Sequence, residues 1–379
     1  MKVVFWGTYD TGKPRVRILI RGLKENGVHV TECHRNVWRG IEDKSQVRGL
    51  VSRIRIGVKW LSSYPRLICQ FIKLEAHDAV IISYLGHLDV LILWPFAKLR
   101  GIPIIWDAFL SLHDTIVEDR HLVGRGHPFA MLIFIWEWLS CRAADLILLD
   151  TQAHANYFSE HFNLETRKVA ALFVGAETDV FPPTETGKRT VDTGSQITVL
   201  FYGQFIPLHG IGTIIEAARE MEAEAVQWII IGAGQEDANI RKRLDEIQLK
   251  NLRWLPWVDY TELVSWIQRA DICLGIFGGS GKASRVIPNK VFQILSVGKP
   301  LITRDSSAIR ELLNPDMEGI FLVEPEDPRA LAESVRRFIK VRSKLSSKPL
   351  YRDIVWRITP KAIGVALVDC IRTLSGGET

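Results

Sequence analysis

Cations gathered near helix starts and glycine-rich turns are the residues of this 379-residue chain best suited to chemistry. In SRVIPNKVFQILSVGKPLI, residues 284–302, Arg285 and Lys290 flank a helix that Pro288 starts and Gly298 stops, and Gln293 follows one turn along. The unpaired N–H groups of a helix start attract anions, and arginine grips phosphate with two parallel hydrogen bonds. Lys282 adds a further positive charge nearby. Upstream, GQFIPLHGIG carries Gly203, Gln204, His209 and Gly210 between an apolar run and a helix beginning near Thr213. Glycines there let the backbone approach a ligand, although a tight strand-to-helix turn explains the same residues.

Other patterns carry less. GTYDTGKP, from Gly7 through Gly12 and Lys13 to Pro14, fits a phosphate-binding P-loop until its last position. Pro14 has neither the hydroxyl that would meet Mg²⁺ nor an N–H, so the segment reads as a glycine-rich turn lining a cleft. Gly232-Ala-Gly234 has Asp237 where a dinucleotide fingerprint requires its third glycine. There is no D-x-D, and His113, His121 and His127 beside Glu118 and Asp119 lack metal-ligand spacing, so no metal is expected. Five scattered cysteines without C-x-x-C suit a reducing cytosol.

These residues must be positioned by alternating strands and helices. Apolar runs at Val3–Trp6, Val28–Glu32, Ala79–Ser83, Pro103–Trp106 and Leu146–Leu149 read as strands buried on both faces. The rhythm returns with Ile197–Tyr202, Val226–Ile231, Leu252–Leu255, Ile272–Ile276 and Pro300–Thr303, with helices near 213–222, 236–249, 260–269, 288–297 and 307–313. The pattern predicts an α/β protein of two doubly wound, parallel, Rossmann-like domains facing a cleft, with ligands at the carboxyl ends of the strands. The boundary is expected at Pro183, before the polar stretch TETGKRTVDTGSQ, giving domains 1–183 and 184–350. A hydrophobic content of 47% supports two cores. The longest apolar run, Phe129 to Trp136, is far shorter than the roughly 20 residues a bilayer span needs, and MKVVFWGTYD carries no export signal. A cytoplasmic protein is expected.

The motifs carry a resemblance. PNKVFQILSVGKPLIT resembles the second half of the E-x7-E helix of family 4, group 1 type glycosyltransferases, and VLFYGQFIPLHGIGTIIEAA is similar to that family's phosphate loop. AADLILLDT, GAETDVFPP and ADICLGIF resemble its interdomain segments and the strand before the motif. The resemblance implies a GT-B fold and retaining transfer of a sugar from a nucleoside-diphosphate donor. The donor would bind the carboxy-terminal domain without metal or cofactor, and the acceptor would bind the amino-terminal domain, on which the tail 351–379 would pack. Loops at Gly232–Gly234 and Trp257–Tyr260, with Gly234 and Val258, would meet the nucleotide base, and the turn at Gly12 would close over sugar and phosphates. This chain departs from the pattern: Gln204 and His209 replace the usual Arg and Lys, Arg285 and Gln293 replace the two motif glutamates, and Phe109 stands where a histidine is common. We read the positive charge as relocated to Arg285, Lys290 and Lys282, with Gln293 bonding a ribose hydroxyl. Asp107 is expected to orient the acceptor hydroxyl or the donor sugar, with helix capping as its alternative role. A nucleotide-sugar binder without turnover, or an epimerase, are the rival readings.

The formal charge of +5 is concentrated: residues 35–73 hold nine basic and two acidic residues. Val47, Val51, Ile54, Val58 and Leu61 form one helical stripe beside Lys44, Arg48, Arg55 and Lys59. Such a helix, over 44–61, either lies on an anionic membrane surface or faces a core with a solvated flank. No nucleic-acid-binding pattern is present. The expected partners are therefore a nucleotide-sugar donor and a sugar or lipid-linked acceptor of envelope polysaccharide synthesis at the cytoplasmic membrane face.

Overall fold

The computed structural model describes residues 1–37, 50–184, 196–346 and 349–375. Among them the chain forms two compact units, Met1–Gly175 with Ile358–Thr379, and Ala176–Arg357. In the first, β1 (Lys2–Gly7), β2 (His29–His34), β3 (Ala79–Ile82), β4 (Ile104–Phe109), β5 (Leu146–Leu149) and β6 (Val169–Ala171) lie in the order β2-β1-β3-β4-β5-β6. All neighbours are parallel. Alternation along β1 sends Val3 and Phe5 into one core and Val4 and Trp6 into the other, so both sheet faces are covered and the strands read as unbroken apolar runs. Helices Pro14–Glu25 and Pro360–Ser375 close the first core. Helices Tyr64–Lys73, His87–Leu99, Pro128–Ala143 and Gln152–His161 close the second.

In the second unit, β7 (Ile197–Tyr202), β8 (Val226–Ile231), β9 (Leu252–Leu255), β10 (Ile272–Leu274), β11 (Leu301–Arg304) and β12 (Ile320–Val323) run parallel in the order β12-β11-β10-β7-β8-β9. The order of connection reverses between β7 and β10. In open α/β sheets that reversal leaves a crevice at the carboxyl ends of the two strands.

Several expectations are corrected. The first unit ends at Gly175 rather than at 183, because Phe181 is buried in the second unit, where its carbonyl accepts from Ser296 Oγ at 2.6 Å. The tail divides: Ile354 stays in the second unit, while the helix Pro360–Ser375 crosses the helix Pro14–Glu25. That crossing is close enough that a Cβ on Gly22 would fall 2.2 Å from the Pro360 carbonyl oxygen. Strands β6 and β12 were not anticipated, and β4 continues to Phe109 through a register shift. Of the basic stripe, Lys44, Val47 and Arg48 lie outside the described residues. Within the helix Leu50–Leu61, Ile54, Val58 and Leu61 are exposed, which corrects the core-facing alternative; Trp60 turns inward instead and donates to Thr8 Oγ1 at 2.9 Å.

Candidate functional site

The loops after β7, β8, β9 and β10 share one edge of the second sheet. Gly203 leaves β7 at φ 141°, and a Cβ on Gly232, at φ 149°, would fall 1.8 Å from the Gly203 carbonyl oxygen. Only glycine lets these two loops touch. Gly234 serves the same packing, for a Cβ there would meet the Phe205 backbone at 2.5 Å. Val258 is half-buried in the loop after β9, beside the exposed Trp257. The Gly210 N–H donates to Pro207 at 3.0 Å, and the helix Ile211–Glu220 starts there.

Lys290 is the central charge. It sits in the first turn of the helix Asn289–Val297, is 5% exposed, and holds its ammonium 3.6 Å from the centroid of the Phe201 ring. Its other contact is the Gly275 carbonyl at 3.5 Å. A Cβ on Gly203 would stand 3.0 Å from Nζ and 3.2 Å from His209 Cε1. Burial pushes the Lys290 pKa well below that of an ordinary lysine, and no carboxylate among the described residues opposes it. A cation held this way favours an anionic ligand that would restore its charge. His209 is buried too, its Nδ1 directed at the Gln204 carbonyl, so these two residues of the turn bond to each other.

The other expected cations behave differently. Lys282 is buried within the short helix Gly281–Arg285, which contacts the turn Pro207–His209. Arg285 folds back on the same helix, with Nη1 2.9 Å from where a Cβ on Gly281 would stand. The structure thus brings Lys290 to Gly203 and lays the Arg285 head over Gly281, because Arg285 leaves the end of one helix and Lys290 the start of the next. Gln293 is also corrected. Tyr202 donates to Gln293 Oε1 at 3.1 Å, Gln293 Nε2 donates to Tyr260 Oη at 3.3 Å, and Tyr260 donates to Glu177 at 2.8 Å. Both ends of the amide serve as a strut inside the protein rather than as an open contact for ribose.

Sequence reading missed Phe201 and Tyr202, although they end β7 directly before the glycine turn, and it named Tyr260 only as the end of a loop expected to meet the base. It also missed Arg304 and Glu326. The Arg304 guanidinium donates to the Gly278 carbonyl, and Glu326 accepts from the Gly279 N–H at 3.2 Å, pinning the glycine loop after β10. These partners lie far apart in sequence, and no local pattern announces them.

In the first unit the carboxyl edge of the sheet is held by buried acids. Asp89 accepts from the Thr8 N–H at 2.9 Å and from Tyr64 Oη at 2.6 Å. Glu137 accepts from the N–H groups of Leu112 and His113 at 2.7 and 2.9 Å, and from Ser111 Oγ at 2.8 Å. Asp107 is fully buried, and Arg15 closes over it with Nε at 2.7 Å from Oδ1. This corrects both roles expected of it: the carboxylate lies inside a strand, sealed by an ion pair, and neither meets open space nor caps a helix. Phe109 carries φ 61° at the register shift in β4, with the Arg15 guanidinium 5.0 Å from its ring centroid. Left-handed backbone in so bulky a residue is strain held by its surroundings. Gly12 lies in this unit, exposed, its N–H donating to Asp10 Oδ1 at 2.9 Å.

Residues 196–340 match the family described as Glycosyl transferases group 1, a span that holds Lys282, Arg285, Lys290 and Arg304. The second unit thus carries a region that matches the group 1 glycosyltransferases, and the two parallel sheets are of the GT-B fold. A provisionally named colanic acid biosynthesis glycosyltransferase, WcaL of Escherichia coli K12, is 23% identical over 306 residues, covering 79% of this chain and 71% of WcaL. A sucrose-phosphate synthase from Thermosynechococcus elongatus shares the chain's fold with a TM-score of 0.72 at 14% identity over 100% of both chains. HepE of Anabaena, solved in complex with UDP, does so with a TM-score of 0.69 at 12% identity over 98% of this chain and 100% of HepE.

Proposed function

We propose that this glycosyltransferase takes a sugar from a nucleoside-diphosphate donor, with retention and without a metal, and passes it to a sugar or lipid-linked acceptor of polysaccharide synthesis. The observation that carries the reading is Lys290, a buried ammonium without a carboxylate among the described residues, lying against the Gly203 turn at the strand-order reversal. As the bond between the anomeric carbon and the donor phosphate breaks, the electron pair stays on the diphosphate. Lys290, His209 and the amides of the Gly203–Gly210 turn neutralise that charge, with Lys282 and Arg285 adding to the local field. A preorganised cation in a site largely shielded from water stabilises a developing anion more than one exposed to solvent. Binding of UDP by HepE and the naming of WcaL for colanic acid biosynthesis support the donor and acceptor classes.

A thermal-shift screen with UDP-, GDP-, ADP- and TDP-sugars tests the donor class. One of them is expected to raise Tm in the wild-type protein by mass action, and to raise it far less in Lys290→Met. In an assay with the identified donor, Lys290→Met is expected to lower kcat/KM by about 10²–10³-fold. Equal nucleotide shifts in both proteins, or none in either, would overturn the reading.

A further inference from the structure

A surface helix of a globular protein turns an apolar stripe to its core and charged residues to water. The helix Pro128–Ala143 does not. Ala130, Ile133 and Cys141 face the core, while the outward stripe consists of Phe129, Met131, Leu132, Ile135, Trp138 and Leu139, with Met131 and Leu132 both 61% exposed. Its acid, Glu137, is turned inward and buried on the loop 111–113; its base, Arg142, lies at the last turn with its guanidinium 4.9 Å from the Trp138 ring centroid. An exposed apolar stripe of six large side chains exceeds what isolated surface residues explain and marks an interaction site.

The stripe belongs to a larger face. Helices Tyr64–Lys73, His87–Leu99 and Pro128–Ala143 pack on the same side of the first sheet, sharing one core. The outer surface of that layer adds Ile72, Trp94 and Leu99, the last 87% exposed. Charge on these helices is sorted by sign. Arg66, Lys73, Lys98 and Arg142 are exposed, whereas the acids Asp89 and Glu137 are buried and hydrogen-bonded to backbone N–H groups. Exposed acids return at the margins, at Glu75, Asp78 and Glu160.

We propose that this face of the first unit docks on an anionic lipid leaflet. Apolar side chains enter the acyl boundary, tryptophans sit at headgroup level and bases meet lipid phosphates, the arrangement of a helix lying in the interface plane. The sign of the exposed charge selects this occupant over a second copy of the chain, which would set bases against bases. Among the described residues no helix is long and apolar enough to cross a membrane, so the contact lies on the leaflet. The surface differs from the segment 44–61 singled out by sequence: its apolar centre is the helix Pro128–Ala143, and it stands independently of the donor-site reading.

Flotation with phosphatidylcholine vesicles, with and without phosphatidylglycerol, tests it. The wild-type protein is expected to float with the anionic vesicles at low salt, and at least tenfold less with phosphatidylcholine alone. Met131→Glu with Leu132→Glu is expected to cut flotation at least tenfold while leaving the nucleotide-induced thermal shift intact. Arg66→Glu with Lys98→Glu, which leaves the apolar stripe untouched, provides a second variant with the same expected loss. No flotation of the wild-type protein, flotation indifferent to both variants, or a dimer that the first variant makes monomeric would overturn the proposal.

Discussion

Among the described residues the first unit buries chiefly acids, with Arg15 paired to one of them, whereas the second buries only cations. In the first, four of the six buried acids, Asp89, Glu137, Asp107 and Asp150, are bonded to Thr8 and Tyr64, to the loop 111–113, to Arg15 and to His154 respectively. In the second, the buried ions are Lys282, Lys290, Lys299 and Arg304. Lys299 and Arg304 donate to the carbonyls of Ala270 and Gly278. A buried acid bonded by backbone N–H groups anchors a loop, whereas a buried cation touching one carbonyl and a ring face leaves capacity for an anion. The same cost of burying charge is offset by hydrogen-bonded partners in one unit and, at Lys290, only by one carbonyl and a ring face in the other.

Breaking the acid side produces the largest effect. Glu137→Ala leaves two N–H groups and a hydroxyl unsatisfied and is expected to destabilise the first unit by about 3–5 kcal/mol in denaturant unfolding. Against burial, which raises it, His87 at 3.2 Å and the N–H groups of His113 and Leu112 hold the Glu137 pKa below the ordinary glutamate value. Its contribution is therefore present above the unfolded-state pKa and lost as pH falls through the folded one; Glu137→Gln is expected to flatten that acid-side loss. Should Glu137→Ala unfold no more easily than wild type, the contrast between the units dissolves.

Lys290→Met sharpens the other side with a smaller, opposite stability change. Burial lowers the folded pKa of Lys290 below its unfolded value, so the ammonium costs stability below the folded pKa, and the cost fades as pH rises through it. Replacing it by an apolar side chain is expected to leave the apo Tm unchanged or raise it by a few degrees at neutral pH, in a thermal melt without nucleotide. A bound diphosphate raises that pKa, so nucleotide affinity measured by calorimetry is expected to fall as pH rises through the free-protein value. A clear drop in apo Tm would show that Lys290 is structural.

The smallest effect belongs to the strut. Tyr260→Phe removes the link between Gln293 and Glu177 and is expected to cost about 0.5–1.5 kcal/mol, read as a several-fold rise in donor KM with kcat little changed. A fall in kcat with KM unchanged would assign Tyr260 to the chemical step instead.

Much of this architecture was legible locally. Unbroken apolar runs mark strands covered on both faces, and Pro288 and Gly298 bracket a helix observed at Asn289–Val297. Residue type and position alone pointed to Lys290 and the Gly203–Gly210 turn, and the fold brings Lys290 to Gly203. Asp107 and Gln293 were misread because a carboxylate or amide at the end of an element looks open until its partner is known. Arg15 lies 92 residues from Asp107, and Tyr202 lies 91 from Gln293. The face on the helix Pro128–Ala143 was hidden for a related reason: an apolar run reads as core whichever way it points.

By itself, then, the sequence determined the local conformations: which segments are extended, where helices start and stop, and which turns require glycine. Those follow from backbone sterics and side-chain periodicity within a few residues. Only the tertiary structure decided which charges are enclosed, which cation lacks a carboxylate and which apolar stripe is left facing outward. Burial and partnership depend on what the sheet brings together from distant parts of the chain, and the free energy of a charge is set by those surroundings.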